Sequence, residues 1–307
     1  MEILRLFPQE EGNFWKRVFR DGADLLSEVR LRAGREAFAY KKGEEYYVSK
    51  EGFLIKEAKE AKVFSGRELS DLLLHLCKFS LYAYEDEVRE GYVTLEGGHR
   101  IGLAGRVIME QGRIKTINHI SFLNLRIAHQ YLGIADRVLP WIYDKGELKN
   151  TLIVSPPGCG KTTLLRDLIR QVSNGNLYGR GRIVGVVDER SEIGGNYKGV
   201  PQNDLGCRTD VMDGCPKIMG MRLLIRSMAP EVMAVDELGG EEEWEELQKA
   251  SRCGVRILAT LHGKEIDHLW KNNIGEIFEE AIVLYRKNGV PSIQGHVSFT
   301  GEGRLEH

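Results

Sequence analysis

The stretch TLIVSPPGCGKTTLLRDLIRQV (151–172) decides the fold class. TLIV is a short β-rich run, SPPGCGKTT (155–163) is a glycine-rich turn, and Leu164, Leu165, Leu168, Ile169 and Val172 recur at helical spacing. A phosphate chain needs several backbone N–H groups converging on one point and the positive end of a helix, and strand, loop and helix together supply both. Gly158 and Gly160 allow close backbone approach, with Pro157, Cys159 and Thr163 completing the loop. Lys161 is expected to reach the β- and γ-phosphates and Thr162 to offer its hydroxyl to Mg²⁺, so ATP and Mg²⁺ are the expected cofactors. Ser155 stands where the phosphate-loop pattern has its first glycine; because Pro156 follows, its backbone is biased toward the extended form that ends a strand. Cys159 reads as an inert filler, with a redox-sensing thiol as the alternative.

Working outward, three further apolar runs end in polar chemistry. VMAVDE (232–237) ends in two carboxylates: Asp236 is assigned to metal support and Glu237 to activating the attacking water, roles that are interchangeable at this stage. IVGVVDERSE (183–192) brings Asp188, Glu189 and Glu192 to another strand end, and ligands gather outside the carboxyl ends of parallel strands. VRILATLHG (255–263) ends with Thr260 and His262, which can sense the γ-phosphate or the water, or sit as ordinary core groups. EEEWEE (241–246) reads as the solvated first turn of a helix. In CRTDVMDGCPKIMGMRLLIRSMAP (207–230) a helix from about Lys217 to Met228 is expected, with Arg222 and Arg226 available to phosphate or a neighbour.

From about residue 138 the pattern repeats as strand, turn, helix, the signature of a mostly parallel sheet covered by helices. The boundary is placed at Leu139-Pro140: a smaller α+β domain over 1–138, then a P-loop NTPase domain over 139–304. In the first part, SEVRLRA (27–33) and YYVSKEGFLI (46–55) alternate as half-buried strands, and Ser65-Gly66-Arg67-Glu68 is a capping box before Leu69, Leu72, Leu73 and Leu76. GYVTLEGGHRIGLAGRVI (91–108) reads as a glycine-rich meander in which period-2 alternation puts Arg100 and Arg106 on one face.

Composition narrows the function classes. With 42% hydrophobic and 29% charged residues the 307-residue chain is globular, with room for about two domains. A net charge of -2 gives no global attraction to nucleic acid or anionic lipid, so no nucleic-acid partner is expected. The longest apolar runs fall far short of the ~18–20 residues that span a bilayer. Five cysteines without C-x-x-C spacing argue against a disulfide framework or zinc site. The acidic start MEILRLFPQEE does not resemble a signal peptide and implies a cytoplasmic location, and Leu305-Glu306-His307 reads as a tag remnant.

The order of phosphate loop, DERSE, MAVDE and ATLHG resembles the secretion and pilus ATPase superfamily of RecA-like motors. EVRLRAGR, GGHRIGLAGRV, SPPGCGKTTLLRD, VDERSEIGG, DVMDGCPK and IRSMAPEVMAVDE together resemble the stage III sporulation AA family of endospore-forming bacteria, over nearly the whole chain. That resemblance implies a RecA-like fold and an ATPase in the mother-cell cytoplasm, peripheral to the outer forespore membrane through the other stage III sporulation A proteins. It implies a homo-oligomer, with a hexamer as one form. It places Asp188 on the first acid of an acidic box, Glu237 on the acid of the second strand and His262 on a histidine box, and makes Arg100, Arg106 and Arg126 the N-terminal arginines that reach nucleotide. The leading expectation is an oligomeric motor; the alternatives are a nucleotide-gated assembly scaffold with little hydrolysis and, against the charge balance, a nucleic-acid translocase.

Overall fold

The computed structural model describes residues 3–8, 11–19, 26–263, 274–287, 290–299 and 305–306. Met1, Glu2, Gln9 and Glu10 of the start, and His307 of the terminal stub, lie outside the described residues. The chain divides into two compact units, Met1–His129 and Gln130–His307. The division falls several residues before the expected Leu139-Pro140 boundary, because Ala135 and Val138 are buried in the core of the second unit together with Leu139.

The first unit opens with a 3-10 turn (Ile3–Leu6) and α1 (Gly12–Val18) and carries seven strands: β1 (Leu26–Arg32), β2 (Phe38–Lys41), β3 (Glu44–Val48), β4 (Leu54–Ile55), β5 (Tyr92–Thr94), β6 (Arg100–Glu110) and β7 (Arg113–Arg126). They form one antiparallel sheet in the order β4-β3-β2-β1-β7-β6-β5. Helix α2 (Gly66–Leu76) begins at the expected capping box: the Glu68 N–H donates to Ser65 Oγ at 3.2 Å, and the Ser65 N–H donates to the Glu68 carboxylate at 2.7 Å. Its Leu69, Leu72, Leu73 and Leu76 are buried. A second short helix, α3 (Glu85–Arg89), leads into β5.

The meander from β5 to β7 is present, but the alternation argued for β6 holds only in its first half. The ladder to β7 shifts register between Ala104 and Arg106, where a Cβ on Gly105 would stand 2.7 Å from the carbonyl oxygen of Asn118. The unmatched residues of that shift lie on β7, opposite Gly105, so β6 itself gains no residue; its burial alternates only through Leu103. Arg100 and Arg126 are direct cross-strand partners.

The second unit starts with α4 (Leu139–Ile142) and the small hairpin of β8 (Tyr143–Asp144) and β9 (Glu147–Leu148). Its sheet is built from β10 (Thr151–Ser155), β11 (Val184–Asp188), β12 (Thr209–Asp213), β13 (Val232–Leu238), β14 (Arg256–His262), β15 (Glu280–Lys287), β16 (Val290–Ser298) and β17 (Leu305–Glu306). The order is β12-β11-β13-β14-β10-β15-β16-β17, parallel from β12 to β15 and antiparallel beyond. Leu305–Glu306, set aside as a tag stub, thus pair with the edge of the sheet.

Helices α5 (Lys161–Asn174), α6 (Lys217–Met228) and α7 (Glu241–Arg252) cover the two faces. Ile153, Val186, Ala234 and Leu258 pack with Leu164, Leu165 and Leu168 of α5, whereas Leu152, Val154, Val235 and Ala259 pack with Met221 and Leu224 of α6 and Leu247 of α7. The alternation along each strand therefore feeds two separate apolar cores, one for each layer of helices.

Buried polar clamps sit at both ends of this sheet. At the end where β10 begins, Asn150 donates from Nδ2 to the carbonyl of Ile277 at 2.7 Å and accepts from the Ile257 N–H at 3.0 Å, tying the start of β10 to β14 and to the turn that leads into β15. At the carboxyl end of β11, Asp188 accepts from the N–H groups of Glu192, Ile193 and Gly194 at 2.8, 3.0 and 2.7 Å, which folds the loop after the strand back on itself. Burial pushes the Asp188 carboxyl up to about 6 although those three bonds pull the other way.

Asn150→Ala should leave a buried N–H and a buried C=O unpaired and cost about 2–4 kcal/mol, read as a lowered urea midpoint. Asp188→Asn keeps the shape but one acceptor oxygen, and should cost about 1–3 kcal/mol at pH 7. Because the folded-state pKa of Asp188 is raised, its linked stabilisation is fully present below the unfolded value of about 3.9 and is lost as pH rises through about 6. The variant lacks that titration, so urea midpoints should show its deficit growing by about 1 kcal/mol between pH 7 and pH 5.

Candidate nucleotide site

Sheet order gathers the polar strand ends. With β10 next to β14 and β14 next to β13, Ser155 lies in register with His262, and Asp236 and Glu237 end the adjoining strand. The glycine loop leaves β10 between its own strand end and α5, with Gly158 and Gly160 at φ +71° and +85°, a region side chains disfavour. Arg286 of β15 donates to the Gly158 carbonyl at 3.3 Å, and the first N–H groups of α5 have no intrahelical acceptors. Cys159 is buried in the α5-side core, as an inert filler would be.

Lys161 is buried at the first position of α5, its ammonium within 3.2 Å of the Ser155 carbonyl, 3.3 Å of the Pro156 carbonyl and 2.9 Å of His262 Nδ1. Burial draws its pKa below the ordinary lysine range, with Asp236 and Glu237 opposing the shift. An ammonium only donates, so Nδ1 of His262 accepts and its Nε2–H donates to the Glu237 carboxylate at 2.8 Å. Lys161, His262 and Glu237 thus form one line of hydrogen bonds. Burial alone would raise the Glu237 carboxyl, but His262, Arg190 and Lys161 together hold it below the usual carboxylate range; Arg190 bonds it directly at 2.9 Å.

Asp236 carries a second cluster. Thr162 Oγ1 donates to its Oδ2 at 2.6 Å, and Thr260 Oγ1 donates to its Oδ1. The Glu237 N–H in turn donates to Thr260 Oγ1 at 2.8 Å. These bonds surround a bulge: β13 gains one residue on β14 between Val235 and Leu238, and Glu237 sits there at φ +53°, a left-handed conformation that costs a non-glycine residue about 1–2 kcal/mol.

Among the described residues no three His, Cys, Asp or Glu side chains form an all-protein metal cage. Thr162 and Asp236 nevertheless fit Mg²⁺, which keeps several waters and binds through one or two protein oxygens plus phosphate.

The remaining residues fall outside this cluster or at its rim. Asp188 has its carboxylate committed to three backbone N–H groups, and Glu189 approaches Lys217 at 3.7 Å. Arg222 pairs with Glu246 of α7 at 2.9 Å. Arg100, Arg106 and Arg126 belong to the first unit, where the Arg100 guanidinium lies 4.8 Å from the centre of the Tyr92 ring. Three residues escape the motif reading. Arg166 donates to the carbonyls of Glu192 and Ile193 at 2.9 and 3.0 Å, Arg190 bonds Glu237, and Lys217 donates to the Glu237 carbonyl at 2.5 Å. The one advance signal was positional: Cys215-Pro216-Lys217 starts a helix beside an acidic strand end. Flanking the loop on the β15 side is a cleft of about 440 Å³ lined by Gly160, Leu164, Tyr285, Pro291, Ile293 and Arg137.

Comparison with known proteins gives the fold and the family of the chain. Stage III sporulation protein AA of Bacillus subtilis (strain 168) is 41% identical over 280 residues, which span 91% of this chain and 87% of that protein. Among solved structures, the ATPase DotB of Legionella pneumophila superposes with a TM-score of 0.62 at 16% identity, covering 93% of this chain and 80% of that one. The pilus retraction motor PilT, solved with bound ADP, gives 0.56 at 17% identity over 88% and 77%. At such identities the likeness shows the fold, a RecA-like α/β architecture shared with secretion ATPases. The family model for sporulation stage III, protein AA, matches residues 14–302, nearly the whole described chain, and the chain belongs to that family.

Proposed function

We propose that this chain is a Mg²⁺-dependent ATPase that works as an oligomeric motor in sporulation. The observation that carries the reading is the convergence of Lys161, Thr162, Asp236, Glu237 and His262 at the carboxyl ends of three adjacent parallel strands. Lys161 exchanges its present carbonyl and imidazole partners for the β- and γ-phosphates, while the loop and α5 N–H groups hold the remaining oxygens. Thr162 and Asp236 would hold Mg²⁺, which when bound would neutralise charge on the β- and γ-phosphates. Glu237, ionised because its carboxyl is held low, accepts a proton from the attacking water, and His262 orients it from the opposite oxygen. The cleft beside Gly160 suits the nucleoside, with Tyr285 and Ile293 offering apolar contact.

The wider role follows from kinship and remains part of the proposal. The relative from Bacillus subtilis is a stage III sporulation protein, and the fold is that of secretion motors. We place the chain in the mother-cell cytoplasm, energising or assembling a channel complex at the outer forespore membrane with other stage III sporulation A proteins. No helix among the described residues is long and apolar enough to cross a membrane, so attachment would run through those partners. Arg100, Arg106 and Arg126 are proposed as the arginines that stabilise charge on the transferred phosphoryl group.

One observation favours a second reading, a nucleotide-gated scaffold with little hydrolysis. A carboxylate bonded by both Arg190 and His262 is a weak base until one of them lets go. Binding of a fluorescent ATP analogue and steady-state phosphate release separate the two. Lys161→Ala should abolish binding; Glu237→Gln should bind within about threefold of the parent and turn over at least ~100-fold more slowly. Undiminished turnover by Glu237→Gln would remove Glu237 from the chemistry, and a parent protein that binds tightly without releasing phosphate would establish the scaffold.

A further inference from the structure

Glu237 is held in a backbone conformation that its residue type disfavours, and the bonds that hold it are unequal. On its amino side the N–H is fixed by Thr260 within the same sheet. On its carboxyl side the carbonyl is fixed by a side chain from another element: Lys217, the first residue of α6, donates to it at 2.5 Å. The Lys217 side chain is mostly buried, and its ammonium also faces Glu243 at 3.5 Å and Glu189 at 3.7 Å. Glu243 lies in the first turn of α7 and accepts the Gly239 N–H at 2.9 Å. One cation therefore joins the start of α6, the start of α7, the loop after β11 and the peptide following Glu237.

A free ammonium among carboxylates would be expected to bond the carboxylates first, since charge-assisted pairs are the stronger ones. Here the shortest contact goes to a neutral carbonyl, and the two carboxylates stand farther off. They flank the ammonium, while the carbonyl takes the directional bond. If that bond is lost, the peptide after Glu237 is free to rotate toward right-handed or extended backbone, which would carry the carboxylate away from His262 and Arg190.

We infer that Lys217 is a positioning residue: its bond to the Glu237 carbonyl keeps Glu237 left-handed and so keeps its carboxylate on His262. The contacts of Lys217 go to Glu237, Glu189 and Glu243 and not, among the described residues, to the glycine loop or Thr162, so the effect is on the geometry of the acid and not on phosphate binding. The catalytic half of this inference rests on the ATPase reading; the conformational half does not.

The experiment compares the full-length parent with Lys217→Met and Lys217→Arg, after confirming that each melts as a single transition. In protein labelled with ¹³C and ¹⁵N at glutamate, the Glu237 Cα and amide resonances, assigned by their loss in Glu237→Gln, report the backbone angle without any turnover. They should move away from left-handed values in Lys217→Met and stay near the parent in Lys217→Arg. In the phosphate-release assay Lys217→Met should lose about tenfold or more in kcat with KM within about twofold, and Lys217→Arg should recover most of it. Unmoved Glu237 resonances in Lys217→Met overturn the inference whether or not the protein hydrolyses ATP. So does a parallel fall of kcat and ATP-analogue affinity that Lys217→Arg fails to rescue. A parent that releases no phosphate defeats the ATPase reading, and the resonance comparison then decides the role of Lys217 alone.

Discussion

The Asp236 carboxylate is the constraint around which the second unit is arranged. One oxygen takes the hydroxyl of Thr162 from α5 and the other that of Thr260 from β14, so three elements meet on a single side chain. Neither threonine reaches it unless β13 and β14 are parallel neighbours and the glycine loop returns α5 over them. A partly buried carboxylate with no such donors would be costly, and two well-aligned hydroxyls offset that cost while fixing the register of the strand ends. The bulge at Glu237 follows from the same point. Thr260 binds Asp236 and the next N–H together, and this leaves one residue of β13 unmatched on β14.

The two cores keep that point rigid. Leu152 and Ile153 of β10 face opposite layers, as do Ala234 and Val235 of β13, so each strand that delivers a polar group is gripped by helices on both sides. Burial of this kind is nondirectional and tolerates many apolar sequences. Direction comes from the polar clamps at the sheet ends, Asn150 at one and Asp188 at the other, because a buried N–H without an acceptor cannot be repaired by repacking.

These two kinds of force explain what was legible in the sequence. Strands and helices were, because hydrophobic period reflects burial: α6 begins at Lys217 and ends at Met228 as the pattern indicates, and the phosphate loop lies between strand and helix. Clustering of Lys161, Thr162, Asp236, Glu237 and His262 was legible too, since the parallel order sends their strand ends to one edge. Asp188 was not: as a residue at an acidic strand end it looks like Asp236, and only the fold of 189–194 reveals that backbone N–H groups consume its oxygens. The register shift at Gly105 was hidden because glycine is compatible with both an unbroken strand and an irregular one. Lys217 and Arg190 were hidden for another reason. Long cations reach far from their own backbone position, and spacing says nothing about where their tips arrive.

The line from Lys161 through His262 to Glu237 has a consequence for how the proposed site would work. Each member is a partner of the next, so no member can change partners without altering the demand on its neighbour. When Lys161 turns to phosphate it leaves Nδ1 of His262 without that donor, while the ring keeps its bond to Glu237 through Nε2. Arg190 holds the other oxygen of the same carboxylate, so once the lysine has left, the orientation of the acid depends on one ring and one guanidinium. The exchange of one lysine's partners would therefore reach Glu237 through His262 with no motion of the sheet, because the three side chains are already bonded in line across adjacent strand ends.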